Sequence, residues 1–157
     1  MLSALQAELQ VLADYHQFHV QDGGINPPAP EDWSDEDVRN RGKVAANVVV
    51  VCPLRNMRVR VRVSLLGSCP ETDLEKVDHA FRASVSIPTG NLQVLECMGT
   101  EALNWSVAPG TYQLLALFTG HETIDTTGLE GSDAYEVLLW PGPEVPFTVV
   151  KQWSQRE

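Results

Sequence analysis

The stretch MRVRVRVSL at residues 57–65 constrains the fold more than any other part of the sequence. Apolar residues occupy every odd position, and the even positions hold three arginines and a serine. Because successive side chains of a β-strand point to opposite faces, this alternation predicts a strand with one buried apolar face and one exposed arginine face. A helix would need apolar residues three and four positions apart. The chain must therefore form a sheet that is covered on one side.

Other short apolar runs predict further strands. Turn signals separate several of them, with PTGN at 88–91, APG at 108–110 and PGP at 141–143. Many short strands with few helical segments are typical of a mainly β fold. We therefore predict a single antiparallel β-sandwich domain over residues 1–157, with about eight strands. The predicted strands are 46–51, 57–65, 80–87, 92–97, 103–107, 112–119, 135–140 and 147–153.

Two segments near the N-terminus are predicted to be short helices. Leucines recur three or four positions apart in residues 2–12, which predicts a helical arm over residues 1–13. Ser34 and the acids that follow it resemble a capping box, which predicts a helix over residues 35–43. Between these segments, residues 14–20 alternate like a strand, and a Gly/Pro-rich loop follows.

The chain is strongly acidic, with a net charge of −10 and a pI of about 4.7. This charge repels nucleic acids and anionic membranes, so we expect a basic protein as the partner, with no direct nucleic acid and no membrane. The acids are unevenly distributed. Residues 22–37 contain six acids and no base, and residues 101–150 contain seven acids and no Lys or Arg.

Two acidic loops are the predicted partner-binding surfaces. The first, at 22–37, contains a tryptophan, a residue type enriched among the anchors of protein interfaces, and charge complementarity speeds association. The second, at 121–133, is longer than most loops without a function. Each could instead be merely a solvated segment. The predicted contact residues are Asp32, Trp33, Asp35, Glu36, Asp37, Glu122, Asp125, Glu130 and Asp133.

Catalytic and metal-binding motifs are not evident. His16 and His19 would point to opposite sides of a strand, so we predict no metal site there and expect one histidine to be buried and the other exposed. The sequence contains no P-loop, no HExxH motif and no nucleophile elbow, so we predict a non-enzymatic protein without a cofactor. The outward arginines of 57–65 could bind phosphate or pair with acids on neighbouring strands.

The three cysteines, at 52, 69 and 97, form no CxxC pair and are odd in number. Such cysteines suit a reducing compartment better than a disulfide framework. We find neither a secretory signal nor an apolar run of the ~18 residues that a membrane span requires. The sequence therefore predicts a cytoplasmic protein.

Three motifs resemble the competence protein J family: YHQF at 15–18, DWSDE at 32–36 and PGTYQL at 109–114. The similarity extends over residues 14–138. That resemblance implies a non-enzymatic bacterial protein that inhibits a DNA-entry nuclease by binding it. A bacterial immunity protein, which binds a nuclease-type toxin, would show the same charge pattern, so both types of partner stay open at this point.

The alternative function is a β-sandwich module that binds a carbohydrate or peptide. It would require an aromatic-lined groove on one sheet face, which Trp105, Trp140 and Tyr112 could supply. The positions of these three side chains distinguish the two hypotheses.

Overall fold

The structure is a computed structural model that describes residues 5–153. This part of the chain contains eleven β-strands, one short α-helix, α1 (Asp35–Asn40), and three single turns of 3-10 helix. The strands are β1 (Leu5–Leu12), β2 (Phe18–Asp22), β3 (Gly42–Ala45), β4 (Val48–Val51), β5 (Arg58–Leu65), β6 (His79–Ile87), β7 (Asn91–Glu96), β8 (Glu101–Ser106), β9 (Gly110–Thr119), β10 (Ala134–Pro141) and β11 (Thr148–Lys151).

The strands form two sheets that pack face to face around one main core. The larger sheet has the order β1-β5-β10-β9-β6-β11, and the smaller has the order β3-β4-β2-β7-β8. The predicted β-sandwich is therefore confirmed. Two details differ from the prediction. The described residues contain eleven strands rather than about eight. In addition, β5 and β10 run parallel, whereas all other neighbouring strands are antiparallel.

Strand β5 has the predicted two faces. Its valines at 59, 61 and 63 are buried in the core, and its arginines are exposed. The guanidinium of Arg62 lies 3.0 Å from Glu8 on β1 and 3.6 Å from Glu136 on β10. Both acids are its register partners. Cross-strand ion pairing therefore accounts for Arg62.

The predicted helical arm is wrong for the residues that the structure describes. Leu5–Leu12 is a strand that pairs antiparallel with β5, with Leu9 opposite Val61 and Val11 opposite Val59. Tertiary pairing overrides the helical spacing of the leucines because β5 presents an unpaired edge that an amphipathic strand can cover. Residues 1–4 of the predicted arm lie outside the described part.

Helix α1 is confirmed but ends earlier than predicted. The chain leaves the helix at Arg41, whose φ is 62°, and Gly42 begins β3. A Cβ at position 42 would lie 2.5 Å from the ring of Phe81, so glycine is required for this strand to approach the core. None of the helices in residues 5–153 has the length and apolarity that crossing a bilayer demands.

Helix α1 and several of the loops between strands lie at the same end of the sandwich. Phe18 at the start of β2 pairs with Val51 at the end of β4, and Ala134 at the start of β10 pairs with Thr119 at the end of β9. Register therefore places helix α1 and the loops after β1, β4, β7 and β9 at this end. We call it the helix end; it comprises residues 13–17, 30–41, 52–57, 97–100 and 120–133.

Candidate protein-binding site

The helix end brings residues 30–37 of the first predicted acidic loop to the same end of the sandwich as the second loop. Asp22, at the start of the first loop, is instead buried at the opposite end, where its carboxylate accepts from the backbone N–H of Thr89 at 2.9 Å. In the first loop, Asp32, Asp35 and Glu36 are exposed and form no ion pair with residues 5–153. In the second, Glu122, Asp125 and Glu130 are exposed. Six of the nine predicted contact residues are thus accessible carboxylates on connections that share one end of the sandwich.

Asp37 is partly exposed, and its carboxylate is engaged in contacts at the start of α1. The hydroxyl of Ser34 accepts from the Asp37 backbone N–H at 3.1 Å, and the Asp37 carboxylate accepts from the Ser34 N–H at 3.0 Å. The ammonium of Lys43 lies 2.6 Å from the same carboxylate. These contacts, that of Lys43 first, lower the pKa of Asp37. Its main task is to start the helix.

Trp33 is half-buried and packs the first acidic loop against the smaller sheet. Its indole N–H donates to the carbonyl of Pro30 at 3.1 Å, and its ring packs against Val48, Val50 and Cys52. Burial raises the pKa of the Cys52 thiol to about 12, so this cysteine stays protonated. The tryptophan therefore offers only part of its surface to a partner.

The second acidic loop is folded on itself. Gly120 begins it with a φ of 74°, and a Cβ there would lie 2.8 Å from the carbonyl oxygen of Ser132. The Asp125 carboxylate accepts from the hydroxyl of Thr127 at 2.6 Å, and the Asp125 backbone N–H donates to the carbonyl of Glu130 at 2.9 Å. The hydrogen bond from Thr127 lowers the pKa of Asp125. The loop thus holds its exposed acids in a defined arrangement.

Asp133 does not lie on the surface, and its predicted place among the contact residues is wrong. It is fully buried, its carboxylate lies 2.5 Å from Nε of Arg55, and it also accepts from the hydroxyl of Tyr135. Arg55 donates as well to the carbonyl of Leu129 at 3.0 Å. This ion pair fastens the second acidic loop to residues 52–57, since a buried charge needs a partner.

A histidine network that the sequence did not reveal joins α1 to the second acidic loop. The ring of His79 contacts the carbonyl of Asn40 through Nε2 at 2.7 Å and accepts from the backbone N–H of Trp153 through Nδ1 at 3.0 Å. The ring of His121 lies 4.8 Å from that of Trp153. These contacts link residues that are far apart in sequence, so no local pattern could have predicted them.

His121 itself is buried with both ring nitrogens lacking a hydrogen-bond partner among residues 5–153. Burial lowers the pKa of His121 to about 4, and the positive charge of Arg41 acts in the same direction. The negative charges of Asp133 and Glu122 oppose this shift only in part. The neutral ring is packed edge to face against Phe118. Protonation would place a charge where no partner accepts it.

Stability should consequently fall when the pH drops from 6.5 towards 4. In the unfolded chain the histidine binds a proton near its ordinary pKa of 6.5, whereas folded His121 does so only near 4. The neutral His121 ring thus contributes up to about 3 kcal/mol to the free energy of unfolding above pH 6.5, and this contribution is lost as the pH falls towards 4. We expect His121→Phe to flatten the dependence of urea stability on pH between 7 and 4. Equal slopes for the variant and the wild type would contradict this assignment.

As predicted, one of the two N-terminal histidines is buried and the other is exposed. His19 is buried and contacts the amide oxygen of Gln17 through Nε2 at 3.0 Å, whereas His16 is exposed. The strand prediction for residues 14–20 holds only from Phe18, because Tyr15 and His16 adopt left-handed backbone conformations in a 3-10 turn.

Apolar side chains accompany the acids at the helix end. Among the described residues, nine large hydrophobic side chains are exposed, and five of them lie on the connections of this end. Tyrosine and methionine are enriched in protein interfaces relative to other surfaces. An acidic surface interspersed with apolar side chains suits a protein partner. The five are Tyr15, Val38, Met57, Met98 and Leu129.

The three aromatic residues expected to line a sugar-binding groove do not form one. Trp140 and Tyr112 are each 3% exposed, and Trp105 is half-buried against the main core. Trp140 instead packs with Leu115, Leu138 and neighbours on the outer face of the larger sheet, beneath residues 66–74. Trp140 and Tyr112 therefore stabilise the fold and are not available to stack on a sugar, and Trp105 is only partly exposed.

Fold and site together define a small two-sheet β-sandwich with a carboxylate-rich, partly apolar end. The family model for Competence protein J matches residues 10–139, which is most of the chain, and the chain belongs to that family. The resemblance drawn from the YHQF, DWSDE and PGTYQL motifs is confirmed.

Two solved structures share the fold. One is the crystal structure of ComJ from Bacillus subtilis, an inhibitor of the DNA-degrading activity of NucA; it is 20% identical, with a TM-score of 0.69 over 90% of this chain and 99% of that one. The other is described as crocagin biosynthetic gene J; it is 23% identical, with a TM-score of 0.61 over 90% of this chain and 100% of that one. No curated protein sequence matches the chain significantly.

Proposed function

We propose that this protein is a non-enzymatic inhibitor that binds and blocks a DNA-degrading nuclease through its helix end. Membership of the Competence protein J family supports the nuclease as target, because the Bacillus subtilis protein of the same fold inhibits NucA. The observation that carries the proposal is the convergence of two acidic loops, separated by about eighty residues of sequence, on one end of the sandwich.

The mechanism is charge mimicry followed by apolar anchoring. A nuclease must present cationic groups to hold the phosphates of DNA. Carboxylates at positions 32, 35 and 36 and on the second acidic loop would occupy those groups, and their long-range field would accelerate association. Burial of exposed side chains such as Tyr15 and Leu129 would slow dissociation. The DNA path would then be blocked without any reaction by the inhibitor.

We also place the protein in the cytoplasm, where free cysteines persist in the reduced state. Cys52 is buried, Cys69 is exposed and Cys97 is half-buried, and none of them forms a disulfide in the described structure. This location is a further part of the proposal and rests on the cysteines alone.

Inhibition by the purified protein tests the function. We expect stoichiometric loss of DNA cleavage when the chain is mixed with the nuclease of its own source organism that is most similar to NucA. Association should slow by roughly tenfold or more between 50 mM and 500 mM salt, because screening weakens steering between opposite charges. Undiminished cleavage at a tenfold excess of the chain would refute the proposal, and NucA of Bacillus subtilis provides a heterologous comparison.

A further inference from the structure

A pocket of about 400 Å³ opens within the helix end, where residues 15–17, 33–41 and 52–54 meet. Trp33, Val38 and Leu54 form apolar parts of its wall, and Gln17 and Arg41 contribute polar groups. Its volume lies in the range of pockets that hold small molecules or single side chains. The pocket therefore offers a site for one inserted group, which a flat acidic surface would not.

Arg41 is the unusual feature of this pocket. The residue is partly buried, and its guanidinium makes neither a hydrogen bond nor an ion pair with any group in residues 5–153. Burial lowers the pKa of Arg41 from its ordinary value. Asp37 and Asp133, two carboxylates of the helix end, are already committed, since Asp37 binds Lys43 at 2.6 Å and Asp133 binds Arg55 at 2.5 Å. A partly buried cation without a partner among these residues attracts an anion.

The backbone around the pocket is strained as well. Tyr15, His16 and Arg41 have φ values of 57°, 57° and 62°, a left-handed conformation that side chains with a Cβ rarely adopt. All three line the pocket, and they are three of the five such residues in the described part of the chain. At Arg41 this conformation ends α1, with the Arg41 N–H donating to the carbonyl of Val38. Such conformations also cluster at ligand sites.

We infer that the pocket receives an acidic side chain of the nuclease, whose carboxylate pairs with Arg41. This inference rests on the proposed function and names one contact of the same site. The planar guanidinium can donate two parallel hydrogen bonds to a carboxylate. Gln17 can add a third from its amide NH₂, because its amide oxygen is already engaged by His19 at 3.0 Å. The methylenes of the inserted side chain would pack against Trp33 and Val38.

Other occupants fit less well. An apolar side chain would fill the volume but leave Arg41 desolvated and unpaired. A phosphate of nucleic acid would have to approach past Asp32, Asp35 and Glu36, which are exposed on the adjoining loop and helix. A carboxylate on a predominantly basic protein surface would both pair with Arg41 and be able to approach it. The surrounding cations of that surface would offset the repulsion between the carboxylate and these acids. Such a reversed ion pair would also fix the register of the complex.

Arg41→Met tests the inference, with Arg60→Met as the control outside the helix end. Arg60 is exposed on β5 and does not line the pocket. We expect Arg41→Met to weaken nuclease binding at least tenfold, by a similar factor at low and high salt because a desolvated pair is poorly screened. Its melting temperature should not fall, since an unpaired charge is removed, and Arg60→Met should bind like the wild type. Equal or tighter binding by Arg41→Met would overturn the inference and indicate an apolar occupant.

A second experiment tests the carboxylate site without the nuclease. Titration of the ¹⁵N-labelled protein with millimolar N-acetylglutamate should shift the Nε–H signal of Arg41 and the indole signal of Trp33, and neither shift should occur when N-acetylglutamine is used. Absence of any shift would refute the carboxylate pocket even if the wild type inhibits the nuclease. Conversely, if the wild type failed to inhibit while both signals shifted, the proposed function would fail and the carboxylate site would stand.

Discussion

The triple variant Asp32→Lys, Asp35→Lys, Glu36→Lys should lose at least about 100-fold in affinity for the nuclease, because like charges would then meet across the interface. All three side chains are exposed and unpaired within residues 5–153, so the fold does not depend on them. Asp37 is left unchanged because it caps α1 and binds Lys43. The measurement is the dissociation constant by calorimetry, together with the melting temperature, which should change little.

A matched control separates the position of the charge from its amount. Glu71, Glu75 and Glu144 are exposed acids outside the helix end, and their replacement by lysine changes the net charge by the same amount. We expect this control to slow association moderately while leaving dissociation unchanged. If both triple variants lost affinity equally, overall charge rather than the helix end would explain binding, and the site assignment would be withdrawn.

Asp133→Ala should cost about 3–5 kcal/mol of unfolding free energy, the usual consequence of removing one partner from a buried ion pair. Arg55 would stay buried without a counter-charge, and the hydroxyl of Tyr135 would lose its acceptor. Burial and the Asp133 carboxylate together raise the pKa of Tyr135, so the phenol stays protonated and needs that acceptor. Urea denaturation monitored by tryptophan fluorescence measures the loss.

Glu130→Ala provides the control for this prediction, because Glu130 lies in the same loop but is exposed. We expect its denaturation midpoint to match the wild type. The double variant Arg55→Met, Asp133→Ala should recover part of the stability lost by Asp133→Ala, since it leaves no buried cation unpaired. A single variant as stable as the wild type would show that the ion pair does not hold the loop.

Local patterns predicted the sheets well because they act within a few residues. The alternation of β5 and the capping box at Ser34 each specify local geometry, and both appear in the structure. The segment LQAELQVL at Leu5–Leu12 satisfies two periods at once, with leucines at helical spacing and apolar residues at every odd position. The exposed edge of β5 decided between the two, and that edge is a tertiary property.

The candidate site could be predicted only as far as charge and composition allow. Exposed acids at 32, 35 and 36 follow from a polar loop and a helix start. Asp133 looks the same in sequence, yet its partner Arg55 is seventy-eight residues away and buries it. The pairing of His79 with Trp153 and the pocket around Arg41 depend likewise on how distant segments meet.

Hydrogen–deuterium exchange with and without the nuclease tests the central claim most directly. If the helix end is the inhibitory surface, binding should slow exchange in residues 30–41, 52–57 and 120–132. The opposite end of the sandwich, including residues 45–47 and 88–90, should exchange at the same rate in both samples. Protection confined to that opposite end, with residues 30–41 and 120–132 unchanged, would contradict the account.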